Sequence, residues 1–222
     1  MAINIDMEKA YDWLEWSFIR DTILLYEFPE PLISLIMSCV SSSFISILFN
    51  GGALEPFLPS RGIRQGDPLT PYFFILCMEV LGALISEKCN AKLWTPLKAS
   101  QGGEAFSHLF FANEIVLFTK ADRKNCMVVK DVLDTFCSLS GKKVSYGKSR
   151  VFFSPNIAPD LRSEFADTLG FCSTPSLGKY LGFPIKYRGI NQDFSFIIEQ
   201  IQSRMAEWKA NLLSFTGMVV LT

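Results

Sequence analysis

The chain has 222 residues, of which 49% are hydrophobic, and its formal charge is −1 with a single histidine. That length and apolar content suit one large domain, or a domain with a small appendage, and exclude a disordered chain. Near-neutral charge counts against a surface that grips a nucleic-acid backbone along its whole extent, since each neutralised phosphate asks for a Lys or Arg; a local basic cluster remains at Lys142, Lys143, Lys148 and Arg150.

In chain order, Ile3-Asn4-Ile5 reads as a short strand that ends at Asp6. Asp12 and Glu15 have the spacing of an N-cap and its reciprocal partner, ahead of a helix marked by Trp16, Ile19, Ile23 and Tyr26. Pro29 and Pro31 punctuate the chain, and a second helix is predicted from there to about Val40. Residues 44–49 and 53–58 read as a hairpin whose Asn50-Gly51 supplies positive φ angles; a phosphate-cradling glycine loop is the less favoured alternative, because no helix start follows. Thr70 and Pro71 suit an N-cap and first helical position, with Phe74, Cys77, Leu81 and Leu84 continuing one face to about Lys88. Two apolar runs then meet at the polar pair Asn113-Glu114, which predicts strand, tight turn, strand.

Cys126, Val129, Leu133 and Phe136 mark an amphipathic helix closed by Gly141. A strand is expected at 151–153, a helix from Asp160 to Leu169 ending at Gly170, and a long last helix traced by Phe194, Ile198, Ile201, Met205, Trp208 and Leu212. These elements predict an α+β domain, an antiparallel sheet with helices on one face, followed by a long helix that leaves it near Asn191. No internal repeat is present.

Six cysteines, Cys39, Cys77, Cys89, Cys126, Cys137 and Cys172, contain no C-x-x-C pair and have only His108 to join them. Free thiols in a reducing compartment are expected, not a zinc site. His108 itself is expected to be packed or hydrogen-bonded. The run 71–85 is broken by Glu79 and is too short to cross a bilayer, and the N-terminus lacks the form of a secretory signal. An intracellular protein is expected, with nucleus and cytoplasm both open.

The order of four segments carries more information than any one of them: Ile5-Asp6-Met7-Glu8-Lys9-Ala10-Tyr11-Asp12, then Arg61-Gly62-Ile63-Arg64-Gln65-Gly66-Asp67-Pro68-Leu69-Thr70-Pro71, then residues 108–118, then Lys179-Tyr180-Leu181-Gly182-Phe183-Pro184. Together they resemble the reverse transcriptases of non-LTR (LINE-type) retrotransposons. The resemblance implies a polymerase palm over 1–190 and the start of a thumb over 191–222, with the fingers region expected to be absent and the chain expected to be a piece of a polyprotein. No endonuclease or ribonuclease H segment is expected within this length.

What the resemblance implies for the site follows. Nucleotidyl transfer in this family uses two divalent ions, Mg2+ or Mn2+, on a carboxylate cluster. The ligands would be Asp6 and the hairpin pair, which the family writes as two aspartates and which here is Asn113-Glu114. Asn113 removes a negative charge and Glu114 is longer by a methylene, so weak metal binding and poor polymerisation are expected, with Asp6 and Glu114 as the remaining anionic ligands. Tyr11 would exclude a ribose 2′-hydroxyl, or else be a core aromatic beside Trp13. Gln65 and Gly66 would contact nucleotide or template, Arg64 and Arg61 would meet phosphate or simply be solvated, and Lys148 would serve pyrophosphate or lie on a solvated basic edge. Tyr180, Leu181 and Gly182 would form the primer grip.

The expected partners are RNA template, DNA primer and deoxynucleoside triphosphates, together with fingers, endonuclease and ribonuclease H domains of a longer polyprotein. Two other functions stay open: a noncatalytic nucleic-acid-binding relic, and a non-functional retroelement fragment of poor solubility.

Overall fold

The computed structural model describes residues 1–98, 100, 102–185 and 195–208. The chain forms two compact units, Met1–Leu177 and Gly178–Thr222. The position near Asn191 and the helix markers Phe194 and Leu212 lie outside the described residues.

Five strands build the central sheet of the first unit: β1 (Ala2–Ile5), β6 (His108–Phe111), β7 (Glu114–Phe118), β8 (Arg150–Phe152) and β9 (Cys172–Ser173), in the order β6-β7-β1-β8-β9. Three smaller hairpins lie outside it: β2 (Leu48–Phe49) with β3 (Gly52–Ala53), β4 (Leu97–Lys98) with β5 (Ala105–Phe106), and, in the second unit, β10 (Lys179–Tyr180) with β11 (Phe183–Pro184). The helices are α1 (Trp16–Leu25), α2 (Glu30–Ser41), α3 (Thr70–Asn90), α4 (Arg123–Ser140), α5 (Pro159–Leu169) and, in the second unit, α6 (Ser195–Trp208).

The two isoleucines of β1 fix the sheet's register. Ile3 pairs with Leu117 and Val151, and Ile5 with Ile115, so these five side chains share one face by the two-residue period of a strand. All are almost wholly buried, in one core with Ile19 and Ile23 of α1, Phe74 and Leu81 of α3, and Val129 and Phe136 of α4. A one-residue slip would turn all of them to the other face, and that specifies where Asp6 comes out.

Several expectations need correction. Asp12 does not cap α1: Glu15 is the N-cap residue, without a side-chain cap bond, and the Asp12 N–H instead donates to Lys9 O at 3.0 Å in a turn. Thr70 is the first residue of α3 and not its cap, which is Leu69; Asp67 Oδ1 accepts from the Leu69 N–H at 2.9 Å and so ties the approach to this helix. The sheet is not wholly antiparallel, since β8 and β9 run parallel after the α5 crossover. Lys142 belongs to no surface cluster: it is 1% exposed, with its ammonium 4.1 Å from the centroid of the Phe74 ring.

Local rules account for the rest. Asp122 caps α4 by accepting from the Asn125 N–H at 2.8 Å, and Gly141 and Gly170 close α4 and α5 in the left-handed region. The turn of the β2–β3 hairpin has positive φ at Asn50 and Gly51, as its sequence requires.

Candidate active site

The chain leaves β1 at Asp6 and is clamped there by the segment that follows α4. The Asp6 N–H donates to Ser149 Oγ at 3.1 Å, the Ser145 N–H donates to Asp6 O at 2.8 Å, and the Glu8 N–H donates to Lys143 O at 2.9 Å, around a bridge between Met7 and Val144. Ser149 is fully buried, so its hydroxyl is a fixed acceptor. Three hydrogen bonds hold the backbone around one half-buried carboxylate. Nothing in the sequence singles out Ser149, because a serine in a polar turn carries no pattern.

The neighbouring hairpin delivers Asn113. Phe111 pairs with Glu114, which leaves Ala112-Asn113 as a two-residue turn. The positive φ of that turn, +50°, falls on Ala112 and not on Asn113. An alanine in this region costs about 1 to 2 kcal/mol, so the tip is held under strain by the strands on either side. Continuing the β1–β7 register by one residue places position 6 opposite position 114.

A cleft of about 770 Å³ opens at this junction. Asp6, Tyr11, Gln65, Gly66, Asn113 and Lys148, drawn from segments far apart in sequence, all line it, with Glu8, Lys9, Asp67, Thr70 and Pro71. Glu114 is exposed and is not one of the lining residues; Arg64 lines a second cleft instead. Three acidic residues, Asp6, Glu8 and Asp67, and two lysines, Lys9 and Lys148, therefore line the first cleft.

Tyr11 lies half-buried with its ring 4.6 Å from that of Phe74, which fixes it at the cleft wall. Its packing partner is Phe74 of α3. Trp13 is engaged elsewhere, with Arg61 5.7 Å and Lys143 4.7 Å from its ring centroid. The basic cluster read from the sequence is thus dispersed: Lys148 is exposed at the cleft, Lys143 lies over Trp13, Lys142 is in the core, and Arg150 donates to Gly147 O at 2.6 Å and Ser149 O at 2.8 Å.

The loop 61–68 is pinned to the segment after β1. Gly62 N–H donates to Leu14 O at 2.8 Å, Ile63 N–H donates to Tyr11 O at 3.0 Å, and the Trp16 indole donates to Gly62 O at 2.7 Å. At Gly62, φ is +85° and a Cβ would stand 2.6 Å from Asp12 O, so only glycine allows this approach. Gly66, at φ +91°, has open space where a Cβ would be and borders the cleft. Gly62 was not singled out in the sequence; the close approach that requires it is a contact with distant Asp12.

His108 lies away from the cleft. Its Nδ1 is 3.0 Å from Ser107 Oγ and its ring stacks 4.4 Å from Phe110; burial lowers its pKa and Glu79 opposes that. It is the packed, hydrogen-bonded histidine expected.

The family's divalent ions need several anionic oxygens converging on one point. Among the described residues no group of three or more His, Cys, Asp or Glu side chains stands close enough to hold a metal ion. With Asn113 offering only a neutral amide oxygen beside Asp6, the donor set does not fit a two-ion centre.

The pattern that defines the family described as reverse transcriptase (RNA-dependent DNA polymerase) matches residues 1–185. The chain belongs to the reverse transcriptase family. It is 30% identical over 145 residues to the Pol polyprotein of the type-2 retrotransposable element R2DM of Drosophila melanogaster, covering 65% of this chain and 13% of that protein. It is 21% identical over 223 residues to the transposon TX1 149 kDa protein of Xenopus laevis, covering 99% of this chain and 16% of that one. These relatives make it a reverse transcriptase domain of non-LTR retrotransposon type, spanning only a small part of the length of the polyproteins it matches.

Among solved structures, telomerase from Candida albicans, in complex with a fragment of telomeric RNA, superposes with a TM-score of 0.53 at 16% identity, over 71% of this chain and 27% of that chain. Apo telomerase from Candida tropicalis gives 0.51 at 16% identity, over 67% and 29%. That likeness fixes the fold of the reverse transcriptase domain as a telomerase-like polymerase palm of sheet and packed helices. Among the described residues no helix is long and apolar enough to cross a membrane.

Proposed function

We propose that the 770 Å³ cleft is the nucleotidyl-transfer site of an RNA-directed DNA polymerase, taking RNA template, DNA primer and deoxynucleoside triphosphate, and that transfer there is crippled by Asn113. The observation that carries this reading is that Asp6 and Asn113 line one cleft together with Tyr11, Gln65, Gly66 and Lys148. Of the hairpin pair, it is the residue without charge that faces the cleft beside Asp6.

The roles follow from position. Tyr11, held on Phe74, presents a fixed wall to a sugar 2′ position, which discriminates by collision. Gln65 offers an amide to a base or sugar, and the lack of a side chain at Gly66 lets a ligand approach the backbone. Lys148 places an ammonium group where a departing pyrophosphate needs charge neutralisation. Tyr180 ends β10 opposite Phe183, and Leu181 and Gly182, both at positive φ, form the turn of the β10–β11 hairpin in the second unit; the primer-grip role of these three residues is part of this proposal. The family uses divalent metal; in this chain, with its depleted donor set, we expect Mg2+ or Mn2+ to bind weakly.

The test is primer extension on an RNA template, comparing the native chain with Asn113→Asp and with Asn113→Asp/Glu114→Asp. Loss of one charge-stabilising interaction of about 3 to 4 kcal/mol corresponds to a hundredfold to thousandfold fall in rate, which the double variant is expected to recover. Equal rates for the native chain and the double variant would refute the impairment. No extension by either, with nucleic acid bound and a salt-dependent Kd, would favour the noncatalytic binding alternative.

A further inference from the structure

From Pro31 to Leu54 the chain carries no charged residue, and the end of that stretch forms the first arm of the β2–β3 hairpin. In this arm Phe44, Ile45, Ile47, Leu48 and Phe49 are each 40 to 78% exposed, so neither of its faces is covered by the described residues. The arm is paired on one side. Ile45 exchanges both backbone hydrogen bonds with Phe57 at 2.9 Å, the Leu54 N–H donates to Ile47 O at 2.9 Å, and Phe49 pairs with Gly52 beside the turn. In an antiparallel pair, residues that bond inward alternate with residues whose N–H and C=O point away. Positions 45, 47 and 49 bond inward, and the backbone of Phe44, Ser46 and Leu48 is left as a free edge. The hairpin's two edges are unlike. The second arm carries Glu55, Pro56 and one extra residue between the Leu48–Ala53 and Ile45–Phe57 pairings, which together blunt its edge. The first arm has no charge, no proline and no extra residue.

The arm is complementary to itself. Turned about a two-fold axis at Ser46, Phe44 falls opposite Leu48 of a second copy, Ile45 opposite Ile47, and Ser46 opposite Ser46. In that register the outward-facing positions 44, 46 and 48 supply the hydrogen-bonded pairs on both sides, every apolar residue meets an apolar one, and no charge is brought against its own copy. A lipid surface would meet the same side chains, but between Asp21 and Ser60 the sequence has no Lys or Arg to hold anionic headgroups. We infer that the protein associates with a second copy of itself through this edge, as a two-fold dimer in which both hairpins join in one antiparallel sheet. Because Glu55 and Pro56 guard the other edge, the assembly closes at two copies and does not grow into a fibre. Dimerisation needs nothing from the polymerase chemistry, so either can fail alone.

The test is analytical ultracentrifugation of the full chain across a wide range of concentration. The native chain should show a reversible equilibrium of monomer and dimer with no larger species. A residue on the axis meets itself, so Ser46→Lys and Ser46→Glu should each be monomeric at concentrations where the native chain is dimeric, because like charges then stand directly opposite. An equimolar mixture of the two should recover the dimer, which general stickiness of an apolar surface would not do. Leu48→Lys mixed with Phe44→Glu, whose new charges face each other across the axis, repeats the test at a second pair of positions, and cooperative thermal unfolding of each variant establishes that it is folded. A native chain that is monomeric throughout or grows into fibres overturns the proposal. So do single variants that stay dimeric, or mixtures of folded variants that stay monomeric. Binding to phosphatidylcholine vesicles by a chain that is monomeric without them overturns it too, and assigns the arm to a lipid surface instead.

Discussion

Replacing Lys142 with methionine should stabilise the protein, and by an amount that depends on pH. The side chain is 1% exposed, its ammonium has no hydrogen-bond partner among the described residues and lies 4.1 Å from the centroid of the Phe74 ring, and the thiols of Cys77 and Cys137 are near enough to act on its charge. Burial pulls its pKa from 10.5 down to about 8, with the two cysteines acting weakly in the other direction. At about 1.4 kcal/mol for each pH unit, that displacement means a penalty of about 3 kcal/mol for the charged form in the folded state. The cation–π contact with Phe74 offsets roughly 1 kcal/mol of it, which leaves about 2 kcal/mol to be gained at neutral pH. The sign is fixed by linkage. Below pH 8 both folded and unfolded lysine are charged and the penalty is complete; between 8 and 10.5 the unfolded chain holds more protons, so native stability rises with pH toward that of the variant.

Cys77 and Cys126, whose thiols burial pushes up to about 12, make the folded state less stable above pH 9, but they are present in both proteins and largely cancel in the difference. Urea unfolding of the native chain and Lys142→Met at pH 7, 8, 9 and 10 measures this directly, with equal m-values as the condition for comparison. A difference that stays constant with pH, or a variant less stable at pH 7, would refute the argument that an unpaired ammonium sits in the core.

Three further outcomes follow from the fold. Gly62→Ala must push its Cβ against Asp12 O in a backbone conformation that alanine resists, and should cost about 3 kcal/mol or more, whereas Gly66→Ala meets open space and should cost about 1 to 2 kcal/mol; thermal denaturation of the pair distinguishes contact from conformation alone. Asp122→Ala removes the α4 cap and should cost about 1 kcal/mol at pH 7. Burial pushes the Asp122 carboxyl up, but hydrogen bonds from Asn125 and the nearby Lys120 outweigh it and hold the pKa below the ordinary value, so this contribution should vanish as pH falls through the acid range, as read from unfolding midpoints. The β2–β3 hairpin and its approach expose Phe44, Leu48 and Phe49 by 63 to 78%, and Leu48→Lys with Phe49→Glu should shift sedimentation from associated species toward monomer; unchanged sedimentation would show that this surface does not drive association.

Much of the palm was legible because its signals are local. Two isoleucines two apart gave β1, the apolar period of 126–136 with Gly141 gave α4, and Asn50-Gly51 gave the hairpin. The misreadings came where tertiary contacts override a local pattern. Asp12 has the spacing of a cap, yet its backbone is held in a turn by Lys9 and crowded by Gly62. Lys142 looks like one more cation in a basic run, but the turn after Gly141 directs it inward onto α3, and a run of charges has no period from which to tell. For the site, the residue types and their order were readable, while the placing of Arg64 outside the first cleft that Gln65 lines and the clamp by Ser149 depended on how distant segments meet.

The hairpin bears most closely on what the chain has kept. If Asn113 had been favoured by the turn itself, its amide would sit at the positive φ that asparagine tolerates better than most residues. That angle falls on Ala112, and Asn113 occupies a position any residue can adopt. The strain at Ala112 is maintained by the β6–β7 pairing on either side, so nothing in the backbone depends on the amide. Asn113→Asp changes one atom and needs no movement of the strands, and exposed Glu114 has room for the shorter aspartate. In the proposed site, the hairpin that brings position 113 to the cleft lined by Asp6 is therefore intact while the charge is absent. The defect proposed for this chain lies in the chemistry of one side chain and should be reversible without any change in stability beyond a few tenths of a kcal/mol, the ordinary scatter of surface substitutions. A large loss of stability in Asn113→Asp would place that second charge in conflict with Asp6 and show that the amide had become part of the fold.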